Sequence, residues 1–432
     1  ERQKIFDEDM VPHLRVCDID AAVLAALEKV DANATLDHKR TLETARIVDA
    51  AVGLIGGPLA FLLLVGAAAW SWLRYGKDPV YLDDPSIHMP APPPDLTAAS
   101  GAVVWEGRAT RRALTTAMLD LASRGELSFV PESGLMGLGK KTGIQVTNPD
   151  TSDPYVVRNR RRPLSGAEDY ALDRIQGIAR AEAGPAGYIE PESIVKFGPY
   201  ASKFDEKIER HVAGKGWFRE PPAKSQSRWQ GRAAIVLVGG IISIIVAFSL
   251  PSAGLTILGG ALIAAAIIMF ILARQMPART MAGAMIYAML AAYRRTLEKT
   301  MAQARSMNQV VQEAKLDWIE TPDQAVVWGT ALGLQQNIED VLERSAEDAR
   351  AGVTAYNPWL PGWYGSTAAS SGGGFQGVAP GLFAGSAIPD FGGMMSALGS
   401  IGNSPSSSGS GSGGFSGGGS GGGGGGGAGG GF

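Results

Sequence analysis

The 432-residue chain has few residues that bind metals or form cross-links. Its single cysteine, Cys17, can make neither an intrachain disulfide nor a cysteine-based zinc site. The four histidines lie far apart in the sequence, and none belongs to an HExxH or comparable ligand spacing. We therefore expect no metal site and no cofactor.

Sequence motifs of common enzymes are also missing. No Walker-type phosphate loop and no GxSxG nucleophile motif occurs in the chain, and the glycines of 134–139 lack the GxGxxG spacing. The sequence therefore predicts a protein that is not an enzyme.

Charged residues make up only 19% of the chain, whereas soluble proteins average about 25%. The 39 basic and 42 acidic residues nearly balance, so the total charge argues neither for nor against nucleic-acid binding. The deficit is local, because residues 50–73, residues 233–273 and everything after Asp390 carry no charge.

Residues 50–73 predict a first membrane span. Their 24 uncharged residues would form about 36 Å of helix, which is enough to cross roughly 30 Å of hydrocarbon. Trp70, Trp72 and Tyr75 collect at one end, where aromatic rings prefer the headgroup boundary. Residues 1–49 before it are predicted to form an extracytoplasmic juxtamembrane helix or stalk.

Residues 233–273 predict a hairpin of two further spans, at 233–250 and 255–273. One helix of 41 uncharged residues would greatly overshoot the bilayer, and Pro251-Ser252-Ala253-Gly254 supplies a turn. Gly239-Gly240 and Gly259-Gly260 would let the two backbones approach closely.

Lysine and arginine residues flank both ends of this hairpin, and its turn has no charge. The positive-inside rule then places both ends in the cytoplasm, so the first span runs from outside to inside. The predicted location is the cell membrane, with the N-terminus outside and the C-terminus in the cytoplasm.

Between the first span and the hairpin, the sequence predicts a proline-rich linker (74–100) and a cytoplasmic winged-helix-like α+β domain (101–232). A helix over Arg108–Ser123 precedes the alternating residues Leu127–Val130. A helix over 165–181 starts with the capping-box pair Ser165 and Glu168.

Two predicted helices end in glycine motifs. The helix over Arg108–Ser123 ends at Arg124-Gly125, and a further helix over Tyr200–Ala213 ends at Gly214-Lys215-Gly216, which Trp217-Phe218 follows. We predict two structural repeats in which a glycine adopts positive φ before an extended segment. Arg124 and Lys215 would lie at helix C-termini, where the helix dipole favours a cation. On this interpretation Arg124→Gln should change stability little.

A basic cluster is the candidate contact for phosphate or lipid headgroups; it consists of Arg158, Arg160, Arg161 and Arg162. The 23 basic and 20 acidic residues of 74–232 leave a net charge of only +3. We favour a solvated loop, or contact with anionic headgroups, over binding of nucleic acid.

Residues 274–350 predict a cytoplasmic helical domain, with helices over 280–307 and 321–350. Trp328 and Ala331-Leu332-Gly333 are placed in mid-helix, where they are expected to pack helices together, so that Gly333→Leu would overpack the contact. Residues 351–432 hold 30 of the 58 glycines and predict a disordered Gly/Ser-rich tail.

The order of these features resembles the YciQ-like family of predicted bacterial membrane proteins, catalogued as domain of unknown function 2207. The matching features are the first span, the proline-rich segment, LDLASRGELSF, VAGKGWF, the uncharged hairpin, WGTALGL and the Gly/Ser tail ending in Phe. The resemblance implies an architecture and a membrane location but no catalytic residues. Family members usually carry a signal peptide and an extracytoplasmic β-rich domain before the first span, so we expect this chain to be a fragment.

The predicted fold class is a mainly α membrane protein with three transmembrane helices. The spans carry no Asp, Glu, Lys, Arg or His, which disfavours a transporter. We favour a non-enzymatic, membrane-anchored interaction or signalling scaffold that couples an outer domain to cytoplasmic helical modules. The alternatives are a membrane-tethered nucleic-acid-binding regulator and an accessory subunit of a transport or envelope complex. The expected partners are the lipid bilayer and a membrane or cytoplasmic protein, with a homo-oligomer as a further alternative.

Overall fold

The computed structural model describes residues 2–33, 36–81, 91–133, 140–181, 187–250 and 252–353, together with 355, 359, 361–363, 394–395 and 398–399. The described chain is mostly helical. The predicted turn residue Pro251, the glycines of 134–139, prolines 85 and 90 of the linker and most of the predicted tail lie outside the described residues.

Helices occupy the segment where the sequence predicts a juxtamembrane helix or stalk. They are α1 (Arg2–Lys4), a π-helical segment (Ile5–Met10), α2 (Val11–Leu14), α3 (Ile19–Asn33) and α4 (Leu36–Ala51). The chain continues through a π-helical segment (Val52–Gly56) into α5 (Gly57–Ser71) and a last π-helical segment (Trp72–Gly76).

The next part of the chain combines helices with a small sheet. Its elements are α6 (Ala98–Glu106), α7 (Arg111–Ser123), β1 (Leu127–Ser133), β2 (Lys140–Val146), α8 (Pro154–Asn159), α9 (Gly166–Ala181), β3 (Tyr188–Ile189), α10 (Pro191–Ile194) and α11 (Gly198–Gly214). The strands form an antiparallel sheet in the order β1-β2-β3, with Leu127 opposite Val146 and Ile144 opposite Ile189. Because α6 starts at Ala98, the folded part begins inside the predicted linker.

The remaining elements are α12 (Pro222–Ser249), α13 (Ala253–Ala273), α14 (Met281–Gln303), α15 (Met307–Ala314), α16 (Pro322–Ala331) and α17 (Gln335–Arg350). Three helical stretches, Arg40–Gly76, α12 and α13, are long and apolar enough to cross a membrane. The three predicted spans are therefore confirmed as helices. The predicted helix 321–350 is wrong as one unit, because the chain breaks between α16 and α17.

The hairpin of α12 and α13 packs through one glycine from each helix. A Cβ on Gly240 would lie 3.0 Å from the carbonyl oxygen of Gly259, and a Cβ on Gly259 would lie 2.8 Å from that of Gly240. Gly239 and Gly260 make no such approach, so only the inner member of each predicted pair brings the backbones together.

The first span joins this hairpin at the turn. The Asp49 carboxylate accepts hydrogen bonds from the Gly254 backbone N–H (3.1 Å) and from the Ser252 hydroxyl. Asp49 precedes the uncharged part of the first span, so this end of the span and the hairpin turn lie at the same end of the three-helix bundle.

Buried side chains from both sides of the hairpin form a single hydrophobic core. It includes Leu114, Phe129 and Phe204 from the segment before α12, and Tyr293 and Trp328 from the segment after α13. The predicted domains 101–232 and 274–350 bury their apolar faces against each other.

Four residues of the predicted disordered tail also belong to this core. Trp359, Trp363, Met394 and Leu398 are buried in it, and the Phe129 backbone N–H donates to the Trp363 carbonyl oxygen at 2.7 Å. The prediction of disorder from residue 351 onward is therefore wrong for these positions. Large apolar side chains separated by glycines can reach a core that a composition average does not reveal.

Candidate functional site

A buried ion pair lies at the end of α7. Arg124 donates from Nε to Asp120 Oδ2 at 3.0 Å, its Nη2 lies 3.0 Å from the same oxygen, and its Nη1 donates to the Arg162 carbonyl at 2.7 Å. Only 6% of Arg124 is exposed. Arg124 is the C-cap residue of α7, as the sequence predicts, but its charge is held inside the core and not at the surface.

Glu168 lies beside this pair at the start of α9. Its Oε2 accepts from the Ser165 backbone N–H at 2.7 Å, and the Ser165 hydroxyl accepts from the Glu168 N–H at 3.4 Å, which confirms the capping box. Burial, with the nearby charge of Asp120, raises the pKa of Glu168 to about 7. Burial also raises the pKa of Asp120, and Arg124 opposes that rise. Because Asp120 receives the Arg124 hydrogen bond, Glu168 is the carboxyl group that holds a proton near neutral pH.

A second set of buried polar groups joins α8 to α16. Asn159 Nδ2 donates to the Ser123 carbonyl at 2.8 Å, and its Oδ1 accepts from the Thr321 hydroxyl at 2.6 Å. Asp323 Oδ1 accepts from Trp363 Nε1 at 2.7 Å. Burial raises the pKa of Asp323 to about 6, against the opposing hydrogen bonds from Trp363 and Asn159.

The space between these two sets is small. A cavity of about 20 Å³ is lined by Asp120, Arg124, Asn159, Arg162 and Trp318, among others. That volume admits a single water-sized molecule. Within the described ranges there is also no group of three or more His, Cys, Asp and Glu side chains that could hold a metal ion. The buried polar groups therefore tie α7, α8, α9 and α16 together without forming a cavity for a larger ligand.

Most side chains of the basic cluster make ion pairs or ring contacts with other residues of the chain. Arg160 pairs with Glu126 at 3.1 Å and Arg161 with Glu320 at 3.0 Å. The Arg162 guanidinium lies 5.7 Å from the centre of the Trp318 ring, while Arg158 is exposed in the last turn of α8. Three of the four side chains thus have acidic or aromatic neighbours, so the cluster does not form one free phosphate-binding surface.

The two glycine motifs end their helices differently. Gly125 has a φ of 77° and leads directly into β1, as predicted. In the second motif Gly214 is still helical, Lys215 is the C-cap residue and pairs with Asp95 at 2.9 Å, and the positive φ falls on Gly216 (75°).

The residues after Gly216 do not enter the sheet. Trp217 and Phe218 are buried, and Phe218 makes one isolated antiparallel bridge to Arg279. The second motif therefore differs from the first, because its extended segment pairs with the chain that leaves the third span.

Trp328 and the Ala331-Leu332-Gly333 segment contact other helices, but at a helix end. Trp328 packs edge-on against Trp318, with ring centres 5.0 Å apart, and a Cβ on Gly101 would lie 2.9 Å from its ring. α16 ends at Ala331, the Leu332 carbonyl accepts from Arg294 Nε at 3.3 Å, and Gly333 has a φ of 79°. Trp328 lies within α16, but the mid-helix placement of Ala331-Leu332-Gly333 is wrong, because Gly333 reverses the chain into α17.

A densely bonded polar site lies where the spans meet the core, and Arg279 is its centre. The Arg279 backbone N–H donates to Asp78 Oδ1 at 2.7 Å, and its guanidinium forms an ion pair with the same carboxylate. Nε and Nη2 donate to the Val104 carbonyl at 2.8 and 2.7 Å, and Nη2 also donates to the Trp105 carbonyl at 3.0 Å. These carbonyls belong to the last turn of α6, where the helix dipole favours a cation.

This arrangement, which we call the Arg279 junction, consists of Asp78, Val104, Trp105, Phe218 and Arg279. Asp78 follows the first span and Arg279 follows the third, so the junction joins two spans to α6. The Arg279 guanidinium also lies 4.5 Å from the Tyr287 ring centre, and its side chain is only 12% exposed.

The start of the second span is tied to the same place. The Thr280 backbone N–H donates to the Trp217 carbonyl at 3.0 Å, and Arg219 Nη1 donates to the Tyr75 carbonyl at 3.2 Å. Gly283 lies against the Trp217 carbonyl so closely that a Cβ would come within 1.9 Å of the oxygen. All three spans therefore meet the core at one position.

Sequence reasoning missed the junction, although one signal was present. In the sequence Arg279 is one of several basic residues that follow the hairpin, and Asp78 is one of several acidic residues that follow the first span. An acidic residue just after one span and an arginine just after another can pair if the helices are adjacent, but the sequence does not state which helices are neighbours.

The fold and the junction define an α-helical membrane protein in which three spans carry one helical core. Residues 86–342 match the family described as predicted membrane protein (DUF2207), C-terminal domain, and the chain belongs to this family. The resemblance drawn from the order of sequence features is thereby confirmed. No match was found among curated proteins or among solved structures.

Proposed function

We propose that the protein is a non-enzymatic interaction or signalling scaffold anchored in the cell membrane. In this proposal the core is cytoplasmic, the hairpin turn and the N-terminus are outside, and the partner is a membrane or cytoplasmic protein. The observation that carries the proposal is the Arg279 junction. It links the ends of two spans to the last turn of α6 through the backbone N–H and the guanidinium of one residue.

The contacts offer a continuous physical path across the bilayer. Asp49 holds the first span to the hairpin turn at one end of the bundle, and Asp78 holds the same span to Arg279 at the other end. A displacement at the turn would therefore move a rigid helix whose far end is bonded to the core. Coupling between two distant sites requires an element that can adopt two positions, and each site must favour one of these positions over the other. In this proposal the element is the first span, and the two sites are the hairpin turn and the core.

We further propose that the core is winged-helix-like, with α7 followed by the β1–β2 hairpin as the helix and wing. The nucleic-acid alternative receives no support from the basic cluster, because Arg160, Arg161 and Arg162 have partners within the chain. An interaction through protein surfaces fits the arrangement better than phosphate recognition does.

The coupling can be tested with the full chain in liposomes by hydrogen exchange of α6. Asp49→Asn should weaken the contact at the hairpin turn and speed exchange in α6, and it should add little in an Asp78→Asn background, where the junction is already weakened. Asp31→Asn, which removes an exposed carboxylate from α3, is the control and should leave α6 unchanged.

Faster exchange at the turn with no change in α6 would contradict the coupling. Affinity capture of the intact protein tests the scaffold itself, because a partner retained by the wild type and lost in Asp78→Asn supports it. Specific retention of nucleic acid at physiological salt would overturn it in favour of the regulator alternative.

A further inference from the structure

A cavity of about 330 Å³ opens between the first and second spans at the end of the bundle next to the core. α12 contributes residues spaced three and four apart, which place them on one face of the helix. These lining residues are Ser225, Arg228, Trp229 and Arg232. Ser71 and Tyr75 of the first span line the opposite wall, and the chain after the third span contributes Met276 and Ala278.

The cavity lies at the depth of the lipid headgroups. Arg232 immediately precedes the 41 uncharged residues of the hairpin, and Tyr75 lies two positions beyond the uncharged part of the first span. Trp229 and Tyr75 add aromatic rings, which prefer this boundary. A ligand in the cavity would therefore have its polar group beside the arginines and any attached chains beside the spans.

The charge of the lining is positive. It includes Arg219, Arg228 and Arg232 against one carboxylate, Glu220. Arg228 is paired with Glu220, and Arg219 donates to the Tyr75 carbonyl. The Arg232 guanidinium lies 4.6 Å from the centre of the Trp229 ring, and no carboxylate partner is found for it within the described part of the chain.

We propose that this cavity binds the phosphate group of an anionic phospholipid. Guanidinium groups form paired hydrogen bonds with phosphate oxygens, and a basic pocket between spans is a recurring form of headgroup site. The volume is within the range of small-molecule sites, and the floor formed by Met276 and Ala278 is apolar. The site shares no residue with the basic cluster at Arg158–Arg162, the candidate for headgroup contact predicted from the sequence.

The test measures which lipids stay bound to the full chain. The protein is reconstituted in vesicles of phosphatidylglycerol and phosphatidylcholine, extracted into neutral detergent, and its bound lipid is quantified by mass spectrometry. We expect phosphatidylglycerol to be enriched over its share in the vesicles. An interfacial basic residue attracts an anionic lipid by about 1 kcal/mol. We therefore expect the affinity for phosphatidylglycerol to fall about fivefold in Arg232→Gln, and roughly 25-fold in the variant that combines Arg219→Gln with Arg232→Gln.

The matched control removes two positive charges outside the cavity, by Lys224→Gln on α12 and Arg158→Gln on α8. This control should keep the enrichment. If the control loses as much enrichment as the variant that lacks Arg219 and Arg232, the lipid is held by diffuse surface attraction. If the variant that lacks Arg219 and Arg232 keeps its enrichment, the cavity is not the site. Either result overturns the proposal. If the variant that lacks both Arg219 and Arg232 does not fold, Arg232→Gln alone decides the matter. In the described structure Arg232 makes a ring contact with Trp229 and no ion pair whose loss would unfold the protein.

A second arm separates lipid from free phosphate. Inorganic phosphate is added to the detergent-solubilised protein, and the thermal unfolding midpoint is compared with that in added phosphatidylglycerol. Stabilisation by phosphatidylglycerol that is lost in Arg232→Gln supports the lipid site. Stabilisation by inorganic phosphate alone, without lipid enrichment, would assign the cavity to free phosphate and overturn the lipid assignment.

Discussion

Arg124 has an energetic role that depends on its burial. Its guanidinium is enclosed by Asp120 and the Arg162 carbonyl, with 6% of the residue exposed. A surface arginine at the C-terminus of a helix stabilises the fold by only a few tenths of a kcal/mol through its interaction with the helix dipole. A buried pair behaves differently, because removal of one partner leaves the other charge without compensation.

Arg124→Gln should therefore destabilise the core by about 3 kcal/mol, and not be nearly neutral as its position at a helix end suggests. The thermal unfolding midpoint of the full chain in detergent micelles measures this loss. Arg158→Gln removes the same charge from an exposed position and should leave the midpoint unchanged. Equal midpoints for the two variants would mean that Asp120 is stable without its partner.

Glu168 gives the stability of the core a pH dependence. Its pKa is about 7 in the folded protein against an ordinary value of 4.5, so the folded state binds the proton more tightly. The stabilisation is fully present below pH 4.5 and is lost as the pH rises from there to about 7. Glu168→Gln stays neutral and can still accept the Ser165 N–H bond. Its stability relative to the wild type should therefore rise across this window, by of order 1–3 kcal/mol.

Thermal unfolding of both proteins between pH 4 and pH 8 checks this prediction. Asp323 does not act on Glu168, so its pH dependence cancels in the difference between the two curves. That difference reports Glu168 together with its interaction with Asp120. Parallel curves would show that folding does not raise the pKa of Glu168.

At the scale of elements, the ends of the helices depend on single glycines. Gly214 and Gly216 make a matched pair, because a Cβ on either would meet no atom within 4 Å. They differ in the backbone alone, since Gly214 is helical whereas Gly216 has a φ of 75°.

Gly214→Ala should leave stability unchanged or raise it by roughly 0.5–1 kcal/mol, because alanine favours the helix and narrows the unfolded ensemble. Gly216→Ala should cost about 1 kcal/mol, because an L residue is strained at positive φ. Unfolding midpoints of the two variants give the comparison. The opposite order would place the helix end at Gly214.

The elements themselves were largely predictable. The apolar spacing of α7, the capping box of α9 and the Thr321-Pro322 start of α16 are local signals, and each helix forms where its signal lies. The break between α16 and α17 was missed because Gly333 and the apolar residues around it fit a continuous helix equally well. Its left-handed φ follows from the contacts of both helices with the core.

At the scale of the whole molecule, the membrane topology is the most direct property to test. The contact of Asp49 with the hairpin turn places both at one end of the bundle, opposite the Arg279 junction. Reporter fusions at Ala98, Ser252 and Gly352 should therefore read inside, outside and inside. The positive-inside rule sets the absolute direction. An inside signal at Ser252 would contradict the hairpin, and inverted signals at all three positions would reverse the orientation.

The single core also changes how the molecule is divided. α16 packs against α6 and α7, although the hairpin separates them in sequence. Trp363 contributes to the same core, because its ring packs edge-on against Phe129 and its Nε1 donates to Asp323. Long-range packing of this kind joins segments that sequence composition assigns to different regions.

Sequence alone determined the properties that depend on local physics. Uncharged runs longer than the bilayer is thick specify spans, basic flanks favour one orientation, and Ser165 with Glu168 starts a helix wherever the chain then goes. The order of these features also identified the family.

Only the tertiary structure decided which charges meet. Arg279 and Asp78 are 201 positions apart in the sequence. Arg124 acts electrostatically on Glu168 only because α7 packs against α9. Burial then changes the electrostatic interaction energy of each group, because an arginine in a low-dielectric interior interacts far more strongly with a nearby charge than the same residue does in water. The sequence records the residue types, but the surroundings that set their energies exist only when the chain is folded.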